Sequence, residues 1–219
     1  NLNRHDPRTP IVSMTSTPEV RLPTTVVPKV YELSLEALTD LTNFTFTGSV
    51  SIHVEVKKAG LTKISCHAVE LKFDAKDVKF TSKDGDVKAS TVTFDEKLET
   101  ATMEFGSGLP AGPGVLVVSK YVGELNNKMK GFYRSKYTVN GKEKYMAVTQ
   151  FEATDARRCL PCWDEPAVKA EFEVTMTAPK SETVISNMPP VDGFPKAAKD
   201  EDLLTWKFEK SPIMSSYLL

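Results

Sequence analysis

Residues 49–56 read Ser-Val-Ser-Ile-His-Val-Glu-Val, an alternation of polar and apolar side chains. Period two puts successive side chains on opposite faces of an extended strand. Val50, Ile52, Val54 and Val56 then face a core, and His53 and Glu55 face water. Similar short runs recur at residues 63–73, 78–81, 87–94, 101–105 and 115–121, and again at 144–151, 171–176, 183–187 and 203–208. Lys83-Asp84-Gly85-Asp86 and Asn140-Gly141 carry hairpin signals, and Pro110-Ala111-Gly112-Pro113-Gly114 reads as a loop. No helical stripe runs beyond about three turns. Thr154 or Asp155 is placed to cap a short helical turn through Arg157 and Arg158. The predicted fold is all-β: an antiparallel β-sandwich or curved, saddle-like sheet of roughly ten or more strands, with at most short helical turns.

Bulk composition bounds the function. The chain has 219 residues, 40% hydrophobic and 26% charged, enough to bury a real core. Its 28 basic and 29 acidic residues give a net charge of -1, so neither nucleic acid nor an anionic membrane is an expected partner. No run approaches the ~18 apolar residues that would cross a bilayer. Cys66, Cys159 and Cys162 are odd in number and sparse, which argues against a secreted disulfide framework and for a cytoplasmic location. In a reducing compartment the Asn43-Phe44-Thr45 sequon has no consequence. Arg4, His5, Asp6 and Arg8 stand where a secretory signal would need an apolar block. The chain opens on Asn, and Met14 offers a plausible native start. Residues 1–13 therefore read as a leader left from expression, 1–20 as a disordered arm and 21–219 as the β domain. Residues 212–219, Pro-Ile-Met-Ser-Ser-Tyr-Leu-Leu, are apolar and strand-like, and they read as a cut in or just after a strand of a longer protein.

Chemistry concentrates in residues 149–166, Thr-Gln-Phe-Glu-Ala-Thr-Asp-Ala-Arg-Arg-Cys-Leu-Pro-Cys-Trp-Asp-Glu-Pro. Cys159 and Cys162 have C-x-x-C spacing, but one such pair supplies at most two zinc ligands. Cys66 and His67 are adjacent, His53 points outward and His5 lies in the arm, so a closed metal site is not expected. A redox dithiol wants a thioredoxin-like βαβ setting, whereas the surroundings read as antiparallel β. Small buried hydrophobes describe these cysteines better. No nucleophile–base–acid triad stands out, although a fold could bring His67 close.

Gln150 and Glu152 are two apart, so on a strand they share a face while Phe151 points to the core. A carboxylate beside an amide at a strand end can receive an ammonium group, through charge-assisted acceptance by Glu and mixed donor–acceptor capacity in Gln. From spacing alone, a solvated strand face, or a salt bridge from Glu152 to a local Arg, is the preferred reading. Asp155, Arg157, Arg158, Asp164 and Glu165 surround Trp163 and Pro166 in the pattern of an ion-pair loop that fixes a turn.

The run Thr-Gln-Phe-Glu-Ala-Thr-Asp-Ala-Arg-Arg-x-x-Pro-Cys-Trp-Asp-Glu-Pro resembles a signature of the zinc aminopeptidases that carry the H-E-x-x-H metal motif. Residues 123–137, Gly-Glu-Leu-Asn-Asn-Lys-Met-Lys-Gly-Phe-Tyr-Arg-Ser-Lys-Tyr, resemble the puromycin-sensitive branch of that family. The Leu22-Pro23, Pro28 and Tyr31-Glu32-Leu33 positions, Lys169-Ala170-Glu171-Phe172, Ser186-Asn187-Met188 and residues 212–218 agree, so the resemblance runs from Arg21 to Leu219. It implies an N-terminal β saddle that precedes a thermolysin-like catalytic domain and lends it a loop. It implies that Glu152 binds the free α-amine of a peptide and that Gln150 lines the first side-chain pocket. Cys159 and Leu160 stand where relatives usually carry Ala and Phe, both apolar exchanges. Neither an H-E-x-x-H nor a G-A-M-E-N segment occurs in this sequence. The resemblance therefore places zinc, general base and transition-state tyrosine in the next domain, and implies that this chain alone is inactive and exposes an apolar docking face that includes Tyr217, Leu218 and Leu219. A non-enzymatic β-sandwich module that binds peptides or proteins is the alternative.

Overall fold

The computed structural model describes residues 21–39 and 43–219; the leader and arm expected at 1–20 lie outside the described residues. Thirteen strands run along the described chain. The first eight are β1 (Val26–Glu36), β2 (Thr45–Val56), β3 (Leu61–His67), β4 (Leu71–Lys72), β5 (Val78–Ser82), β6 (Gly85–Asp95), β7 (Thr100–Leu109) and β8 (Gly112–Glu124). Then come β9 (Gly131–Val139), β10 (Lys142–Gln150), β11 (Glu171–Pro179), β12 (Lys196–Ala197) and β13 (Leu203–Lys207). The helical content is three single 3-10 turns, at Ala75–Asp77, Ala156–Arg158 and Ser216–Leu218.

Eleven strands form one sheet in the order β12-β13-β11-β1-β2-β8-β5-β6-β7-β3, with β4 beside β8. The alternation in β2 works as the pattern requires: Val50, Ile52, Val54 and Val56 are buried. β6 turns the sheet over. Lys88 pairs with Lys79 of β5, while Ala89 onward pairs with β7, with a register shift between Ala89 and Thr91. A bulge of this kind bends a strand and lets one sheet close on itself. Phe80 of β5 and Phe105 of β7 then meet edge-on, ring centroids 6.3 Å apart. Each such fully buried side chain contributes about 1.5–3 kcal/mol relative to exposure.

Several local readings change. β1 and β11 pair in parallel, Val30 opposite Glu171 through Glu36 opposite Thr177, so the sheet is mixed. Residues 183–187 form no strand and pair with nothing in a ladder, and the chain bends at Asn187. The run at 63–73 is two strands, broken where Glu70 turns at a φ of 57°. The Pro110-to-Gly114 loop shrinks to two residues, because β8 already starts at Gly112. The Asn140-Gly141 turn joins β9 to β10 with φ values of 50° and 75°, the left-handed pair that suits a tight hairpin.

Candidate functional site

β9 and β10 form a separate two-stranded sheet, tied to the segment after β8 by a bridge between Tyr133 and Asn126. Phe151, just past β10, is 2% exposed and seats the strand end in the core. Gln150 ends β10 and Glu152 lies in the turn beyond it rather than on the strand; both are exposed, and a cis peptide joins Glu152 to Ala153. Both line one cleft of about 760 Å3. Residues 146–152 form one wall and 182–187 the other, with Leu33, Leu35, Val174 and Met176 of β1 and β11 between them and Tyr217, Leu218 and Leu219 at the end. The apolar side chains of 183–187 thus face a cleft, which is why they mimic a buried strand in the sequence.

Among the described residues no cation pairs with Glu152; the nearby arginines bond elsewhere. Arg157 is buried and donates from Nε to Asp164 Oδ2 at 3.0 Å, from one terminal nitrogen to Glu99 Oε2 at 2.7 Å, and from the other to Asp164 O at 3.2 Å. Asp164 also accepts from Ser216 Oγ at 2.7 Å. Arg158 donates to Asp155 Oδ1 at 2.7 Å and pairs with Glu70 Oε2 at 3.0 Å. Asp155 occupies the N-cap position of the Ala156–Arg158 turn, but its carboxylate serves Arg158 rather than the turn's own amides. Glu165 meets neither arginine; its Oε1 accepts from Leu22 N at 2.8 Å. Glu70 and Glu99 were invisible as partners in the sequence, because each comes from a distant corner where φ is positive, 57° and 55°.

The thiols are packing groups. All three cysteines are free and buried. Burial pushes the Cys66 thiol up to about 12 and raises Cys159 and Cys162 as well, so none presents a thiolate at neutral pH. His67 does approach Cys162, by backbone pairing, but its Nδ1 accepts from Asp164 N at 3.1 Å. Burial chiefly, and then the Arg157 charge, hold His67 down to about 4. Among the described residues no group of three or more His, Cys, Asp or Glu is arranged to hold a metal ion. No helix among them is long and apolar enough to cross a membrane.

The last residues bind the loop to the cleft. Ser215 Oγ donates to Pro166 O at 2.6 Å, and Ser216 reaches Asp164. The carbonyls of Leu218 and Leu219 accept from Asn187 Nδ2 at 2.7 Å and Thr149 Oγ1 at 3.3 Å, one donor from each wall.

A family model described as the peptidase M1 N-terminal domain matches residues 27–218, nearly the whole described chain. The chain belongs to this family. As an M1 N-terminal domain it is 44% identical over 203 residues to aminopeptidase M1 of Arabidopsis thaliana, covering 92% of this chain and 22% of the relative. It is 42% identical over 201 residues to aminopeptidase M1-B of Oryza sativa subsp. japonica, again 92% and 22%. With the puromycin-sensitive aminopeptidase of Caenorhabditis elegans it shares 39% over 201 residues, 91% of this chain and 20% of the relative. The M1 N-terminal domain seen here therefore spans about a fifth of the length of these relatives.

Proposed function

We propose that this chain is the N-terminal domain of a longer, broad-specificity zinc aminopeptidase of the cytosol, and that it holds the substrate's N-terminus. The observation that carries the proposal is the condition of Glu152. Its carboxylate is exposed, lies in the cleft beside Gln150, and has no cation partner among the described residues. A peptide's α-ammonium supplies the missing cation. Gln150, two residues earlier, flanks the first side chain with both a donor and an acceptor. Such a charge clamp confines hydrolysis to the chain end, because an internal segment offers no ammonium to satisfy it.

The described residues do not fit the zinc that the family implies, so its ligands belong to the remaining length of the protein. We place the catalytic portion on the apolar cleft, where Ile185 is 87% and Leu218 51% exposed. Three buried, unpaired thiols suit a reducing compartment. The test uses the full-length protein and a peptide in free and N-acetylated form. Release of the first residue from the free peptide alone is the expected result. Cleavage of the acetylated peptide at a comparable rate would remove the basis for an amine anchor and favour a general peptide-binding surface.

A further inference from the structure

We infer that Arg158 is a positioning residue for Glu152: together with Gly131 it fixes the frame from which that carboxylate reaches the cleft. The inference rests on Glu152 being the amine anchor. Glu152 lies on a turn closed by Asp155 N, which donates to Phe151 O at 2.9 Å. No hydrogen bond or ion pair holds the Glu152 side chain itself among the described residues, so its aim depends on the backbone beneath it.

Arg158 reaches the turn through the side chain of Asp155 and braces it against its neighbours. Its Nε holds Asp155 Oδ1 at 2.7 Å at the far end of the turn. A terminal nitrogen of the same guanidinium reaches Glu70 Oε2 at 3.0 Å, which ties the turn to the corner between β3 and β4. A planar fork that serves two carboxylates at once restrains direction as well as distance, which a single ammonium does not. The aliphatic part of Arg158 lies on Gly131, the first residue of β9. A Cβ at that glycine would come within 2.5 Å of Arg158 Cβ and 3.2 Å of Asp155 O, and its φ of +70° is one that side chains rarely adopt. Gly131 is the register partner of Gln150. One side chain therefore contacts both the strand opposite Gln150 and the far end of the turn that carries Glu152. Arg157 shares none of these partners; it faces Asp164 and Glu99.

The experiment is a ligand comparison in the full-length protein. A competitive amino-acid-derived ligand and its des-amino analogue are titrated against wild type, Arg158→Gln, Glu152→Ala and the double variant. A misplaced anchor costs affinity only where there is an amine to anchor, so Arg158→Gln should weaken the amine ligand about tenfold and leave the analogue unchanged. In the Glu152→Ala background the same change should have no further effect. Equal losses for both ligands, or additive losses in the double variant, would overturn the inference and leave Arg158 a structural residue. If Glu152→Ala alone leaves amine preference intact, the anchor reading fails first, and the inference fails with it. Should Arg158→Gln not fold, Glu70→Gln removes the second carboxylate from a side chain that is 37% exposed, and the expected amine-specific loss is about threefold. No amine-specific loss in a folded Glu70→Gln protein counts against the inference in that case.

Discussion

Replacing Asp164 with Ala separates energetically the two carboxylates that hold Arg157. Asp164 accepts from Arg157 Nε at 3.0 Å, Arg157 N at 3.2 Å and Ser216 Oγ at 2.7 Å, and its side chain is 1% exposed. Deleting that carboxylate leaves the buried Arg157 Nε, the Arg157 backbone N–H and the Ser216 hydroxyl without their acceptor. Removing one partner of a buried pair costs about 3–5 kcal/mol, most of it the burden of the stranded charge. Glu99 still holds Arg157 at 2.7 Å, but from a side chain 39% exposed, so it offsets only part of the loss. The lower end, about 3 kcal/mol, is the expected destabilisation. Glu99→Ala removes the more solvated contact and should cost about 0.2–1 kcal/mol. The assay is urea unfolding followed by the fluorescence of Trp163 and Trp206, with the slope unchanged so that the midpoint reports stability. In a thermal scan the same loss appears as a drop of about 6–12 °C for a chain of this size. An Asp164→Ala protein within about 1 kcal/mol of wild type, or one no worse than Glu99→Ala, would refute the argument that burial makes this pair expensive to break.

Phe80→Ala should cost about 3–5 kcal/mol, because Phe80 closes the two layers against Phe105; a loss under about 1 kcal/mol would mean the layers do not pack as described. His67 titrates near 6.5 when unfolded but at about 4 when folded, so the unfolded state binds the extra proton. Its contribution is complete above about pH 6.5 and is lost as the pH falls toward 4, an effect on the order of 3 kcal/mol, so the unfolding midpoints of wild type and His67→Gln should converge between pH 7.5 and 4.5. Cys66, Cys159 and Cys162 should resist a thiol reagent in the native state at neutral pH and react together on unfolding; fast native labelling of any one contradicts the burial described. The isolated chain should neither hydrolyse an aminoacyl amide nor retain stoichiometric zinc after dialysis, and it should self-associate through the exposed cleft. Activity that tracks the pure chain, or a strictly monodisperse monomer at high concentration, answers against those expectations.

What the sequence revealed and what it withheld have physical reasons. β2 was readable because one of its faces is buried and the other wet, so burial writes itself into period two. Residues 183–187 misled because their apolar side chains line a cleft, and lining a cleft leaves the same composition as filling a core. The parallel pairing of β1 with β11 is set by the fold across most of the chain, and no local pattern encodes it. At the site, period two puts Gln150 and Glu152 on one strand face, whereas the fold ends β10 at Gln150 and carries Glu152 on the turn beyond it, and only the fold shows that Arg157 and Arg158 are committed elsewhere. The partners Glu70 and Glu99 were unreadable for the converse reason: they are single acidic residues in distant turns, chosen by where β3 and β7 deliver them. Glu165, which stands in the acidic cluster, is taken by the backbone of Leu22 instead.

The most direct test of the central claim is kcat/KM for a free-amine peptide in the full-length protein, wild type against Glu152→Ala, with this chain alone as the blank. If Glu152 anchors the ammonium, the variant loses roughly 2–4 kcal/mol of transition-state stabilisation while remaining folded. An unchanged kcat/KM in a folded variant would mean that the residues around Glu152 hold the loop together and bind nothing.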